Sequence, residues 1–208
     1  QGGFGVVVAG AFCCMPVAVK LARDFREAAA QRRISALANE LRILRQLRHP
    51  NIVIIHGAVV DLEQQYVGLV LEMVQGQTLD RFLSLGESGA ARVPDESARF
   101  QVVFDVCRAC LYLHTRKPCI VHSDLKSSNI MVEEAGGEAR AKLLDFGLAR
   151  VLSRNAQPLG GTLSWMAPEC LQAPAPRPRR SADVFSLGVL LCVVATRRHP
   201  RAGMSRQQ

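Results

Sequence analysis

The residues best equipped for chemistry lie in one stretch, Ile120-Val121-His122-Ser123-Asp124-Leu125-Lys126-Ser127-Ser128-Asn129-Ile130-Met131-Val132, which sets a carboxylate, an ammonium and an amide between two apolar, β-prone ends. Asp124 can accept a proton from a hydroxyl, Lys126 can neutralise a transferring phosphate, and Asn129 can offer its carbonyl oxygen to a metal ion. A second carboxylate, Asp145, ends the run Lys142-Leu143-Leu144 and precedes Phe146-Gly147, where a glycine frees the backbone. Its setting suits a Mg²⁺ ligand.

Such groups need rigid elements to hold them. Met15-Pro16-Val17-Ala18-Val19-Lys20-Leu21 alternates as a strand and puts Ala18 and Lys20 on one face, small side chain beside cation. From about Asp24 to Leu47, the residues Ile34, Leu37, Leu41, Leu44 and Leu47 recur at spacings of three and four. That pattern predicts one amphipathic helix, with Glu40 near its apolar stripe. Strands are predicted near Ile52 to Val60 and Tyr66 to Glu72. Pro94-Asp95-Glu96 opens a helix that continues from Phe100 through Leu113 and ends at His114.

After the polar stretch, Ala135-Gly136-Gly137-Glu138 is the turn of a hairpin whose second strand, Ala141 to Leu144, delivers Asp145. Leu148 to Trp165 holds turn formers and no clear period, so it reads as a long loop. Ser181 to Thr196 is a helix whose apolar run, Leu187 to Thr196, is too short to span a bilayer and reads as buried. At the start of the chain, Gly2, Gly3 and Gly5 precede Val6-Val7-Val8, a combination whose backbone can approach a polyanion closely.

The 208 residues, 49% of them hydrophobic, are enough for a substantial core and describe a globular protein. The net charge of +8 is uneven: residues 173 to 208 hold seven Arg and one Asp. No aromatic residues interleave with these Arg and no nucleic-acid motif is present, so a solvated surface is the reading and nucleic acid is not an expected partner. The Pro/Arg-rich stretch Ala173 to Arg180 reads as an extended surface loop, with docking of an acidic partner as its alternative. Seven Cys show no finger-like spacing, which favours buried thiols in a reducing compartment over disulfides or zinc. No internal repeat and no membrane segment appears.

Taken together, these stretches resemble the signature set of eukaryotic protein kinases: a Gly-rich loop, a Val-Ala-Val-Lys strand, a helix Glu, a catalytic loop, Asp-Phe-Gly, and Ala167-Pro168-Glu169. Gly161-Thr162 and Trp165-Met166-Ala167-Pro168-Glu169 are similar to the tyrosine-kinase-like group of serine/threonine kinases, near the mixed-lineage and Raf kinases. The resemblance covers essentially the whole chain. One departure is Ser123, which stands where the family usually has Arg.

The resemblance implies an α+β, two-lobed protein kinase fold: a small β-rich lobe with one long helix (1–72), a hinge (73–78) and a mainly helical large lobe from 79 onward. It implies ATP and Mg²⁺ as cofactors and protein Ser/Thr hydroxyls as acceptors. Gly2, Gly3, Phe4, Gly5 and Val7 would cover the nucleotide; Ala18, Leu71 as gatekeeper, Glu72, Val74 and Met131 would surround its base. Lys20, held by Glu40, would grip the phosphates, Asn129 and Asp145 would bind the metal, and Asp124 and Lys126 would act on acceptor and transferring group. Asp183 would brace the catalytic loop from beneath. Because the chain starts at Gln1 without Met, and the family's first glycine and last large-lobe helices are missing, a piece of a longer cytoplasmic protein with regulatory domains elsewhere is expected. The alternative is a pseudokinase or scaffold that keeps the fold as a binding surface.

Overall fold

The computed structural model describes residues 6–23, 28–61, 63, 66–85, 94–152, 160–172, 177 and 179–200. Gly2, Gly3, Phe4 and Gly5 lie outside the described residues.

The first half is a sheet with a helix packed on it. Strands β1 (Val6–Phe12), β2 (Met15–Arg23), β3 (Ile55–Asp61) and β4 (Tyr66–Glu72) form an antiparallel sheet in the order β1-β2-β4-β3. β1 and β2 are joined by Cys13 and Cys14, both in the left-handed region at φ 48° and 63°. A two-residue turn with both residues left-handed follows the twist of a hairpin, but these residues carry no glycine or asparagine to announce it. Helix α1 (Ala28–Leu44) buries Leu37, Ile43 and Leu44, while Ile34 and Leu41 pack partly against the same core. The predicted helix to Leu47 stops early, because Gln46 and Leu47 bond three residues back and close the last turn tightly before His49-Pro50. Its predicted start, residues 24–27, lies outside the described residues.

The second half is mainly helical. β5 (Gln77–Thr78) leads into the short α2 (Leu79–Phe82), capped by the Thr78 side chain. Helix α3 (Glu96–Thr115) starts behind Asp95, whose carboxylate accepts the Ala98 N–H at 2.7 Å, and buries Val102, Val106, Ala109, Cys110 and Leu113. β6 (Ile120–Val121), β7 (Ile130–Ala135) and β8 (Glu138–Leu143) follow, with Gly136 and Gly137 at positive φ in the β7–β8 turn. Buried Asp105 pins α3 to this hairpin by accepting the Ala141 N–H at 2.9 Å.

Several sequence expectations need correction. β3 begins at Ile55 rather than Ile52, because the backbone before it is taken by β8: Val53 N–H donates to Leu143 O and Leu143 N–H to Asn51 O. The stretch read as one long loop contains β9 (Arg150–Val151), which pairs with β6. Helix α4 (Arg180–Thr196) is buried on one side only, through Leu190, Val193 and Val194, whereas Val184, Phe185 and Leu191 are exposed. Of the seven free thiols only Cys110 is buried; Cys13, Cys14 and Cys192 are exposed, the first two because they form a hairpin tip. Among the described residues no helix is long and apolar enough to cross a membrane.

Candidate active site

A cleft of about 640 Å³ opens between the sheet and the β7–β8 hairpin. Strand register explains its lining. Ala18 lies opposite Leu71 on β4, and Lys20 lies opposite Val7 on β1, so one face of the sheet brings the small Ala18 side chain, Leu71 and the Lys20 ammonium into line. Met131 closes the cleft from β7, and Glu72, Val74 and Asn129 also line it. Val53, Met73, Thr78, Ser128 and Leu144 line it too and were not singled out from sequence. Leu144 could have been, since it directly precedes Asp145 in an apolar strand. Gly76 lies tight against β7, where a Cβ would meet Val132 O.

Lys20 is the electrostatic centre of the cleft. Its Nζ lies 2.8 Å from Glu40 Oε2 and 2.9 Å from Asp145 Oδ1, with Lys20 and Glu40 both buried. Burial alone would lower the lysine's pKa, but the charges of Glu40 and Asp145 prevail and hold it above its usual value. Burial likewise pushes the Glu40 carboxyl up, against the pull of Lys20. Glu40 Oε1 also accepts the Phe146 N–H at 3.2 Å, so α1, β2 and the segment after Asp145 meet at one carboxylate.

Asp124 does not line the cleft but stands at its far side, joined to it by Lys126 and Asn129. Lys126 Nζ lies 2.8 Å from Asp124 Oδ2, and Asn129 Nδ2 donates to Asp124 O at 2.9 Å and to Oδ2 at 3.1 Å. The other oxygen, Oδ1, accepts Thr162 N–H at 3.0 Å and Thr162 Oγ1 at 2.8 Å. Lys126 also donates to Thr162 Oγ1 at 2.7 Å. Burial works to raise the Asp124 pKa, but Lys126 and Thr162 outweigh it and hold the carboxyl below its ordinary range. Gly161 allows this closeness, since a Cβ there would come within 2.9 Å of Ser123 O.

The loop itself hangs from α4. Asp183, almost wholly buried, accepts the backbone N–H of His122 at 2.8 Å and of Ser123 at 2.9 Å, and its Oδ2 lies 2.8 Å from His114 Nε2. His122 Nδ1 accepts the Asp124 N–H at 3.3 Å, so the ring carries its proton on Nε2, which donates to Leu144 O at 3.1 Å. The same ring meets Phe146 edge-on at 4.9 Å. Ser123 adopts φ 69°, a conformation the two Asp183 bonds hold in place. The geometry therefore brings together Lys20, Glu40, Asp145, Asn129, Lys126 and Asp124, and adds Thr162 as a direct partner of Asp124.

Asn129 and Asp145 give a possible cation one amide oxygen and one carboxylate, both hard oxygen donors. Asn129 spends its NH₂ on Asp124, which leaves its carbonyl oxygen as the group to offer, and both Asp145 bonds fall on Oδ1. This donor set fits a divalent ion that keeps waters and substrate phosphates as its remaining ligands.

The amino-acid sequence is matched by known proteins. The family model described as "Protein kinase domain" matches residues 1–208. The serine/threonine-protein kinase CTR1 of Arabidopsis thaliana is 36% identical over 212 residues, covering 100% of this chain and 24% of the relative. The probable serine/threonine-protein kinase drkD of Dictyostelium discoideum is 36% identical, with 100% and 15% covered, and the probable serine/threonine-protein kinase SIS8 of Arabidopsis thaliana is 34% identical, with 100% and 19% covered. The chain thus spans a quarter or less of the length of these relatives. With the family model matching from the first residue to the last, this chain belongs to the protein kinase domain family, whose members bind ATP and a divalent metal and act on proteins.

Proposed function

We propose that this chain transfers the γ-phosphoryl group of Mg-ATP to Ser or Thr hydroxyls of protein substrates. The observation that carries the reading is Lys20, a buried ammonium held 2.8 Å from Glu40 and 2.9 Å from Asp145 in a cleft that also presents the apolar Val7, Ala18, Leu71, Val74 and Met131. In this reading Ala18, Leu71, Val74 and Met131 bind the base, with the 73–78 segment as hinge between a small lobe (1–72) and a large lobe from 79 onward. Gly2, Gly3, Phe4, Gly5 and Val7 cover the phosphates. Lys20, oriented by Glu40, binds the phosphate oxygens, and Asn129 and Asp145 would hold Mg²⁺, which offsets phosphate charge when bound.

Asp124 orients the acceptor hydroxyl. As the acceptor oxygen bonds to the γ-phosphorus, the bond to the ADP oxygen breaks, Lys126 offsets charge on the moving group, and the hydroxyl proton passes to Asp124. The Lys126–Thr162–Asp124 triangle supports Ser/Thr as acceptor, because it holds the segment beside which a substrate hydroxyl would approach Asp124. The regulatory domains suggested by the relatives' greater length, and a cytoplasmic setting, belong to the same proposal.

Transfer of labelled phosphate from ATP to a generic basic protein, measured with the full-length protein, tests it. Lys20→Met and Asp145→Ala should each lower transfer by about three orders of magnitude while leaving the fold intact, one by losing the phosphate grip and the other by losing the metal. Transfer at wild-type rate by either variant refutes the site assignment. ATP binding without Mg²⁺ dependence and without transfer would make the chain a scaffold.

A further inference from the structure

Two consecutive residues of α1 grasp the segment that follows Asp145. Glu40 takes the Phe146 N–H, as described above. Its neighbour Asn39 takes the carbonyls: Nδ2 donates to Phe146 O at 3.2 Å, Gly147 O at 3.0 Å and Ala149 O at 2.9 Å. Arg42, one turn further along the helix, donates from Nη2 to Asn39 Oδ1 at 2.9 Å. That bond fixes which way the amide points, with its NH₂ toward the carbonyls. The apposition is close, since a Cβ on Gly147 would lie 3.5 Å from Ala36 Cβ.

We propose that Asn39 is a positioning residue, which locks α1 to residues 146–149 so that Asp145 faces the cleft only when Glu40 reaches Lys20. The physical reason is the number and direction of its bonds. A half-buried amide serving three carbonyls from a segment more than 100 residues away joins two elements whose other hydrogen bond, among the described residues, is the one to the Glu40 carboxylate. Moving α1 outward would strip all three carbonyls of this donor together with the Lys20–Glu40 pair, so the helix position and the Asp145 segment change as one unit. The role in catalysis rests on the phosphotransfer reading; the mechanical coupling does not.

The test uses the full-length protein with Asn39→Ala, Asn39→Gln and Asn39→Asp. Aspartate is nearly isosteric and still receives Arg42, but it turns an oxygen toward three carbonyl oxygens. Expected kcat falls about tenfold for Ala and further for Asp, with Gln recovering part of the loss. KM for ATP should rise by less than kcat falls, because the apolar lining is untouched while the Lys20–Glu40 grip on the phosphates loosens. Amide exchange should quicken at 146–152 in the Ala and Asp variants and stay unchanged in the 130–143 hairpin. Wild-type kcat and exchange in Asn39→Asp would overturn the proposal, as would exchange raised uniformly with a matching loss of folding stability. A wild-type protein that transfers no phosphate would sink the kinase reading alone, leaving the exchange pattern to decide the coupling.

Discussion

Asp183→Asn offers the most direct measure of how the loop that carries Asp124 is held. The native carboxylate uses Oδ1 for Ser123 N–H and Oδ2 for His122 N–H and His114 Nε2. An amide of the same shape has one oxygen, so in either orientation one of the two backbone N–H groups faces an NH₂ and is left buried without an acceptor. Each charge-assisted bond contributes roughly 1.5–3 kcal/mol, and an unsatisfied buried donor costs about 1–3 kcal/mol. The expected loss is therefore about 2.5–6 kcal/mol, a large share of the roughly 5–15 kcal/mol typical of a domain. Urea unfolding of the full-length protein should show a lower midpoint for the transition of this domain with an unchanged m-value. Phosphoryl transfer should fall as well, because Ser123 relaxes from φ 69° and carries Asp124 with it. A stability change below about 0.5 kcal/mol with unaltered transfer would refute the idea that Asp183 sets the loop.

Two further outcomes follow from the charges around Asp124. Its depressed pKa means that its interactions add stability above the unfolded value of 3.8 and lose it as pH falls through the lower folded value. Thr162→Val removes the Oγ1 donor and raises the folded pKa toward the unfolded value, so less stability is lost in acid and the loss is complete at a higher pH; acid unfolding reports the smaller loss, the acid limb of the transfer rate should move to higher pH, and an unmoved limb counts against the assignment. At Ser123, where a hydroxyl stands in place of the family's usual Arg, the side chain supplies no charge to hold a phosphate on the 148–165 segment. The dephosphorylated full-length protein should therefore transfer phosphate without switching through this position; recovery of a silent enzyme by phosphorylation of Ser153 or Ser164, dependent on Ser123, would contradict it.

Much of the site was legible because each charged group stands beside local punctuation: Lys20 in an alternating strand, Asp124 between two apolar strands, Asp145 before Phe-Gly. Those signals are local in sequence. What escaped notice depends on contacts between distant segments. Asn39 looks like an ordinary helical polar residue, and its partners lie more than 100 residues away. Arg150–Val151 is too short for any period to show, and becomes a strand only because Ile120–Val121 runs alongside it. Cys13-Cys14 makes its turn without the glycine that would normally betray one. In α4, near-uniform apolarity concealed that one side alone is packed, since a helix apolar all round gives no direction to its moment.

The charges in this cleft also bear on how the reaction would proceed. Lys20, Glu40, Asp124 and Asp183 are all buried, a state that would be prohibitive for isolated ions. Each has two or more polar partners, so the protonation states are set by the protein: Lys20 stays charged, and Asp124 stays ionised with both oxygens already accepting hydrogen bonds. A carboxylate with a depressed pKa and crowded oxygens is a weak base, far too weak to ionise an alcohol beforehand. Its value lies in direction, since the remaining acceptor capacity of Asp124 fixes where a hydroxyl can point. The proton should then leave late, once bond formation to phosphorus has made the acceptor oxygen acidic, and the rate should depend on how well Lys126, Thr162 and Asn129 hold Asp124 rather than on its basicity. Thr162 ties that orientation to the segment after Gly161, so the chemistry and the placement of the acceptor are governed by the same carboxylate.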